Sequence, residues 1–186
     1  MQKKGKLFYV IGASGAGKDS VMQYARNRLN ASGDVIFAHR YITRSADSGG
    51  ENHVALSSEE FDNRLKSGCF ALHWESHGIR YGIGIEIDLW MQKDIRVVVN
   101  GSRAYVTEAR KRYADINVVL IEVSPEILEQ RLRLRGRESE DQIRKRLDRH
   151  RNIEKPADKD TIVISNDGSL AVAGNRLVEL LTGSAR

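Results

Sequence analysis

The chain has 186 residues, of which 40% are hydrophobic and 30% are charged, a balance typical of a soluble globular domain with a sizeable core. No run approaches the ~18 apolar residues that a membrane-spanning helix needs. The net charge of +5 does not favour nucleic acid as a partner, because the sequence lacks a helix-turn-helix signature and a pattern of aromatic residues for stacking on bases. A smaller polyanion explains the positive charge better.

The N-terminal residues Met1–Lys4 lead directly into a predicted strand, so we expect no signal peptide. Cys69 is the only cysteine, which excludes an internal disulfide and a cysteine-rich zinc site and favours a cytoplasmic location. Because it lies beside Phe70, we expect Cys69 to be a small core residue. The sequence does not predict an oligomeric state, and we expect no membrane partner.

The strongest motif lies between the first predicted strand, residues 7–11, and a predicted helix over 19–29. Residues 12–19 read Gly-Ala-Ser-Gly-Ala-Gly-Lys-Asp and match the phosphate-binding pattern G-x-x-x-x-G-K. Glycines let backbone N–H groups surround a polyphosphate, and the helix N-terminus adds partial positive charge. We therefore predict an ATP site at Gly12, Ala13, Ser14, Gly15, Ala16, Gly17, Lys18, Asp19 and Ser20. Lys18 is the predicted catalytic contact to the β- and γ-phosphates.

Asp19 departs from this pattern, which usually places Ser or Thr after the lysine to help hold Mg²⁺. Here Asp19 offers a carboxylate, and the next residue, Ser20, offers a hydroxyl. Mg²⁺ accepts oxygen ligands of either kind, often through water. We predict that Asp19 and Ser20 support Mg²⁺, directly or through water, and the alternative for Asp19 is plain helix capping.

Strands and helices then alternate along the chain. A second predicted strand begins at 35–38 and continues into His39–Arg44, and a polar loop follows over 45–52. The next predicted helix begins with the capping box Ser57–Glu60 and ends at Gly68. Predicted strands at 70–74 and 79–83 then form a hairpin. A buried strand is predicted at 95–99, followed by a helix that ends near Tyr113 and a strand at 118–123. A helix capped by Ser124 then runs to Arg135, and a charged helix runs from after Gly136 to about Glu154. The last predicted elements are a strand at 161–165 and a helix at 170–181. This order predicts a single α/β domain, residues 1–186, with a parallel sheet covered by helices on both faces and ligands at the carboxyl ends of its strands.

Over nearly its full length the chain resembles the guanylate kinase-like branch of the P-loop kinases. The matching pieces are Gly12–Ser20, Thr43-Arg44, Gly50-Glu51, Ser57–Phe61, Tyr81-Gly82, Arg131-Leu132, Arg135-Gly136, Glu138, Arg146-Leu147 and Asn166-Asp167. The resemblance implies the three-layer P-loop fold with a small acceptor-binding insert, about 35–93, and an arginine-rich helical lid, about 131–154. It further implies acceptor-phosphate contact by Arg44, transfer assisted by Arg135 and Arg146, and Asn166 beside the nucleotide base.

Four positions depart from the guanylate kinase pattern in the acceptor pocket. Leu72 stands where those enzymes carry a glutamate that reads guanine, and Asp47, His53 and Ile83 replace an arginine, a tyrosine and a hydroxyl residue. A leucine cannot accept hydrogen bonds from guanine, and each unpaired donor costs ~1–3 kcal/mol. These departures argue against GMP as the acceptor.

Several strings resemble a bacterial branch of this superfamily that acts in phosphonate breakdown: His39–Arg44, Glu51–His53, Glu86–Trp90 and Val99–Arg103. Kinases of that branch use ATP to phosphorylate the 1-phosphate of ribose 1,5-bisphosphate, giving 5-phospho-α-D-ribose 1-diphosphate and ADP. The predicted acceptor-binding residues are Arg40, Arg44, Asp47, His53, Tyr81, Asn100 and Arg103. A structural salt bridge is the alternative for each arginine, and helix capping is the alternative for Asn100.

A phosphate acceptor is already a nucleophile, so the enzyme needs positioning and charge compensation rather than a general base. The sequence fits this chemistry, because its notable residues are one lysine, several arginines and a predicted metal site. Most arginines between 131 and 151 can equally belong to a solvated, salt-bridged helix pair. Two further functions stay open: a nucleoside monophosphate kinase of altered base choice, and a non-catalytic kinase-like binding module.

Overall fold

A computed structural model describes residues 5–45, 53–136, 139–152 and 160–183, without the side chains of residues 135 and 149–152. The chain forms two compact units, one of residues 1–9 and 29–117 and one of residues 10–28 and 118–186. The prediction of a single domain stays a prediction. No helix among the described residues is both long enough and apolar enough to cross a membrane.

The described strands are β1 Leu7–Gly12, β2 Val35–Phe37, β3 Arg40–Ile42, β4 Val54–Ala55, β5 Phe70–Ser76, β6 Ile79–Gly84, β7 Arg96–Asn100, β8 Asn117–Glu122 and β9 Ile162–Ser165. The helices are α1 Lys18–Leu29, α2 Ser58–Lys66, α3 Glu86–Gln92, α4 Val106–Arg112, α5 Pro125–Arg135, α6 Glu140–Asn152 and α7 Leu170–Thr182, and a 3₁₀ turn covers Arg103–Tyr105. The prediction of an α/β fold with alternating strands and helices is therefore confirmed.

The predicted parallel sheet has five strands in the order β2-β7-β1-β8-β9. Val35 pairs with Arg96 in parallel β2 and β7, and Val119 pairs with Ile162 in parallel β8 and β9. Apolar side chains are buried along the central strands, with Leu7 to Ile11 at most 3% exposed. Continuous burial of this kind follows when both faces of a strand are covered.

A second sheet of four strands, in the order β4-β3-β6-β5, corrects one sequence prediction. The single strand expected through residues 35–44 is wrong, because the chain breaks after Phe37 and places β2 and β3 in different sheets. The predicted hairpin of β5 and β6 is confirmed, and its turn contains His77 and Gly78, both with positive φ.

The two faces of this second sheet carry different side chains. On one face, Phe70 packs between Tyr41 and Phe61, with ring centroids 5.7 and 4.7 Å away. Gly82 makes room for it, because a Cβ there would lie 2.6 Å from the Phe70 ring. The register of β5 on β6 shifts between Phe70 and Leu72, so the residues after the shift face the other way. The opposite face therefore carries Arg40, Leu72, Trp74, Tyr81 and Ile83.

Local signals located most helix ends correctly. Ser57 and Ser124 cap α2 and α5 by accepting hydrogen bonds from the N–H groups of Glu60 and Ile127, and Gly136 ends α5 in the left-handed conformation.

Cys69 is exposed, so the expectation that it belongs to the core is wrong. It lies just before β5, where burial begins at Phe70.

Candidate active site

The predicted phosphate loop, residues 12–19, connects the end of β1 to the start of α1. Gly15 and Gly17 have φ values of +95° and +80°, which side chains rarely allow. The N–H of Ala16 donates to the carbonyl of Ala13 at 3.1 Å and closes a tight turn. No described residue accepts a hydrogen bond from the N–H of Gly15 or Gly17, so both groups remain available to an anion.

Helices α5 and α6, which fall in the predicted lid region, support this loop through an apolar cluster. The cluster contains Ala13 and Ala16 of the loop, Leu128 and Leu132 of α5, and Ile143 and Leu147 of α6. A Cβ at Gly15 would approach Leu128 and Leu132 to 2.8 and 3.3 Å. The loop therefore depends on glycine both for its backbone angles and for this close packing.

Asn166 holds the loop from a third direction. Its side chain, in a residue 3% exposed, donates from Nδ2 to the carbonyl of Ala16 at 2.7 Å, and a Cβ on Gly17 would lie 2.6 Å from the same nitrogen. Arg131 Nη2 donates to the Asn166 carbonyl at 2.7 Å. The prediction that Asn166 contacts the nucleotide stays a prediction, whereas its support of the loop is a structural fact.

Arg131 supports the phosphate loop through Asn166, a role that our sequence reasoning did not assign to it. The sequence analysis names Arg131 only within the matching piece Arg131-Leu132 and gives it no role, and its distinguishing contact joins α5 to the segment after β9. The sequence signal for this role was the helical spacing of Arg131 with Leu128 and Leu132, which places it on the face of α5 that packs against the loop.

At the start of α1, Lys18 Nζ lies 3.2 Å from Asp19 Oδ1. The Lys18 side chain is 14% exposed, while that of Asp19 is 49% exposed. The described residues contain no cluster of three or more His, Cys, Asp or Glu side chains. Proteins commonly hold Mg²⁺ with one or two oxygen ligands and substrate phosphates, and the prediction that Asp19 and Ser20 support the ion stays a prediction.

The two predicted lid arginines belong to neighbouring helices. Arg135 is the last residue of α5, and its side chain lies outside the description; Arg146 is half-buried in α6. Arg133 instead pairs with Glu129 at 3.0 Å and with Glu140 at 2.8 Å on the exposed surface. For Arg133, the prediction of a solvated ion pair is therefore confirmed.

The predicted acceptor residues Arg40 and Tyr81 lie together on the second sheet. The Arg40 guanidinium sits 4.9 Å from the centroid of the Tyr81 ring. Tyr81 stacks on Trp74 at 5.5 Å with an interplanar angle of 7°, and Trp74 contacts Tyr105 at 5.7 Å and 33°. Sequence reasoning missed Trp74 and Tyr105, because only the strand register and the turn after β7 bring them together.

Two further predicted acceptor arginines, Arg44 and Arg103, are half-buried and have guanidinium nitrogens without a partner among the described residues. Burial lowers the pKa of the Arg103 guanidinium, and no described residue forms an ion pair or hydrogen bond with that side chain. Arg44 Nε is buried and has no hydrogen-bond partner among the described residues. A desolvated cation without a partner costs free energy, which a bound phosphate would recover.

The remaining acceptor predictions differ in how far the structure describes them. His53 Nε2 lies 3.2 Å from the Arg44 carbonyl, so it adjoins a predicted phosphate ligand. Asp47 lies outside the described residues. Asn100 is 6% exposed at the end of β7, and the cap positions after it belong to Ser102 and Tyr105, which removes the capping alternative.

Tyr9 positions the loop that follows Asn100. Its hydroxyl accepts a hydrogen bond from the Ser102 N–H at 3.0 Å and donates to the Ser102 carbonyl at 3.3 Å. Gly101 lies against the ring, because a Cβ there would come within 2.2 Å of it. Burial raises the pKa of the Tyr9 hydroxyl, and the hydrogen bond with the Ser102 backbone opposes part of that rise.

The departures at Leu72 and Ile83 are buried and face each other. Leu72 is 1% exposed and pairs in register with Ile83, which is 0% exposed. Neither side chain offers a hydrogen-bond acceptor to a base. The structure thus adds burial to the sequence argument against guanine.

No protein-family model matches the chain. It is 58% identical over 179 residues to a ribose 1,5-bisphosphate phosphokinase PhnN of Thiobacillus denitrificans, covering 96% of this chain and 94% of the relative. It is 52% identical over 184 residues to the protein of the same name from Chromobacterium violaceum, covering 99% and 97%.

Among solved structures, a guanylate kinase from Anaplasma phagocytophilum shares the fold, with a TM-score of 0.67, 16% identity, and coverage of 98% of this chain and 87% of that one. A sugar kinase from Janibacter aligns with a TM-score of 0.52 and 16% identity over 97% and 96% of the two chains. The P-loop kinase fold predicted from the sequence is therefore confirmed. With relatives this similar over almost its whole length, the chain belongs to the ribose 1,5-bisphosphate phosphokinase family.

Proposed function

We infer that this chain transfers the γ-phosphoryl group of ATP to the 1-phosphate of ribose 1,5-bisphosphate, giving 5-phospho-α-D-ribose 1-diphosphate and ADP in phosphonate catabolism. The chain is a kinase by family. The structural observation that supports the acceptor assignment is the pair of half-buried arginines Arg44 and Arg103, whose side chains form no ion pair in the described part of the chain. A doubly phosphorylated sugar supplies two anions for them.

The reaction needs no general base. An oxygen of the acceptor phosphate attacks the γ-phosphorus of ATP, the bond from that phosphorus to the bridging oxygen breaks, and ADP leaves with the electron pair. The protein contributes alignment and positive charge. Its described residues accordingly offer cations and backbone donors rather than a Ser-His-Asp arrangement.

On the donor side, we propose that the phosphate loop binds the ATP phosphates through its backbone N–H groups and through Lys18. Asp19 and Ser20 would hold Mg²⁺, directly or through water, and the ion would neutralise β- and γ-phosphate charge. Asn166 keeps the loop in shape, as its bond to Ala16 indicates. Arg135 and Arg146 are proposed to stabilise the transferred phosphoryl group; in related NTPases such arginines supply ~10³–10⁵ in rate.

On the acceptor side, we propose that Arg44 and Arg103 bind phosphate, with Arg40 and Tyr81 beside them. Arginine suits this role because its planar guanidinium makes two parallel hydrogen bonds to a phosphate. The sugar hydroxyls are assigned to His53, Asp47 and Asn100, whose side chains accept or donate hydrogen bonds.

The guanylate kinase fold keeps a nucleoside monophosphate kinase as a second candidate. The buried pair of Leu72 and Ile83 disfavours it, since neither side chain pairs with a base edge. The third candidate, a binding module without activity, is disfavoured by the retention of Lys18, Arg44 and Arg135. A cytoplasmic location and the absence of a nucleic-acid partner remain proposals.

The reaction is tested by following ³¹P resonances of a mixture of the chain, ATP-Mg²⁺ and ribose 1,5-bisphosphate. We expect a coupled pair of diphosphate signals on C1 of the sugar, formed in step with ADP. Phosphorylation elsewhere on the sugar, or no reaction, would contradict the proposal. Arg103→Ala should raise the acceptor KM, whereas Arg133→Ala, which removes a surface ion pair, should leave it unchanged.

A further inference from the structure

We propose that Trp74 and Tyr105 form an aromatic wall that restricts the acceptor site to phosphorylated sugars and excludes nucleobases. This inference rests on the proposed function, whose acceptor it explains. Neither residue stood out in the sequence. The wall is defined by Tyr81, Trp74 and Tyr105, which contact one another in that order.

The position of Trp74 shows that it fills space rather than offering a stacking surface. Its ring stacks nearly parallel on Tyr81, at 7°, and contacts Tyr105 at 5.7 Å. The residue is only 9% exposed. A planar base needs an open aromatic face to stack on, and these contacts leave little of the indole accessible to one.

The side chains that continue this face of the sheet are apolar. Leu72 precedes Trp74 by two residues on β5 and pairs with Ile83 on β6, and both Leu72 and Ile83 are buried. A guanine or adenine placed here would leave its ring nitrogens and exocyclic groups unpaired. At ~1–3 kcal/mol for each unpaired group, two or three such groups suffice for strong discrimination.

The rim of the wall has the opposite chemistry. Arg40 covers the Tyr81 ring, and Arg103 lies two residues before Tyr105 in the same 3₁₀ turn. The hydroxyls of Tyr81 and Tyr105 make no hydrogen bond to any described residue. A pentose with two phosphates and free hydroxyls matches such a rim, since it brings anions and hydrogen-bonding groups but no base edge.

Simple core packing is the competing explanation, and it makes a different prediction. If Trp74 only fills the interior, a smaller residue lowers stability and slows transfer to every acceptor by the same factor. If it forms the wall, a smaller residue opens space beside Leu72 and changes the ratio between acceptors.

The experiment compares Trp74→Leu, Trp74→Phe and the wild type with ribose 1,5-bisphosphate, GMP and AMP as acceptors. Trp74→Leu should raise the ratio of kcat/KM for the nucleotides to kcat/KM for the sugar at least tenfold. Trp74→Phe, which keeps an aromatic ring, should preserve most of the wild-type ratio. Trp90→Leu changes the only other tryptophan, which lies on α3, and should leave the ratio unchanged.

An unchanged ratio in Trp74→Leu, with all acceptors slowed in parallel, would overturn the wall. A wild type that fails to phosphorylate ribose 1,5-bisphosphate would instead overturn the proposed function.

Fluorescence gives a second measurement that does not require Trp74 to be replaced. In Trp90→Phe, Trp74 is the only tryptophan, and its emission on excitation at a wavelength that tyrosine does not absorb should change with ribose 1,5-bisphosphate but not with GMP. Identical responses to the two acceptors, or no response at saturating ribose 1,5-bisphosphate, would also contradict the inference.

Discussion

The bond between Asn166 and the phosphate loop predicts a specific defect in ATP binding. Asn166→Ala removes the 2.7 Å hydrogen bond from Nδ2 and leaves the carbonyl of Ala16, in a residue 1% exposed, without that donor. An unpaired buried group of this kind costs about 1–3 kcal/mol. For a chain of this size, each kcal/mol lowers the melting temperature by about 2–4 °C.

Part of that cost should appear in ATP affinity, because the same nitrogen packs where a Cβ of Gly17 would be. Each ~1.4 kcal/mol lost from binding raises the dissociation constant tenfold. We expect Asn166→Ala to raise the ATP KM about tenfold and to leave the acceptor KM within twofold. Thermal unfolding and steady-state kinetics with each substrate varied in turn measure both effects.

Asn175→Ala is the matched control, since Asn175 accepts a 3.0 Å hydrogen bond from Tyr24 on the exposed surface. It should change the melting temperature little and neither KM. If Asn166→Ala lowers stability but leaves ATP binding at the wild-type level, the hydrogen bond contributes to stability alone and its predicted contribution to ATP binding is refuted.

Three further substitutions test other parts of the account. Lys18→Ala should abolish transfer while the far-ultraviolet circular dichroism stays unchanged, and activity within a few-fold of the wild type would remove the loop from catalysis. Asp19→Ala should raise the Mg²⁺ concentration needed for half-maximal rate, whereas a lower melting temperature at unchanged Mg²⁺ dependence would indicate capping alone. Tyr9→Phe removes both hydrogen bonds to Ser102 and should raise the acceptor KM more than the ATP KM; equal effects on both would show that Tyr9 does not position the loop after β7.

The sequence predicted what depends on local spacing. The phosphate loop, the caps at Ser57 and Ser124 and the break at Gly136 each follow from a few neighbouring residues, and the structure confirms the caps and the break. The buried strands of the parallel sheet were also predictable, because their apolar runs are continuous.

Features that depend on pairing between distant segments were not predictable. The run from 35 to 44 reads as one strand, and only its division between two sheets reveals a break after Phe37. Helix α3 was missed because its seven residues, Glu86–Gln92, carry neither a side-chain cap nor a full amphipathic repeat. Trp74 and Tyr105 are 31 positions apart in the sequence, so their contact emerges only from the folded chain.

The most direct test of the central claim is kcat/KM of the unmodified chain for ribose 1,5-bisphosphate and for GMP, at the same ATP and Mg²⁺ concentrations. Sites that pair a substrate's hydrogen-bonding groups can discriminate against mismatched ligands by ~10⁴–10⁵. Because Leu72 and Ile83 leave a base edge unpaired, we predict that the sugar bisphosphate exceeds GMP by several orders of magnitude. A value for GMP equal to or above that for ribose 1,5-bisphosphate would contradict the account and favour a nucleoside monophosphate kinase.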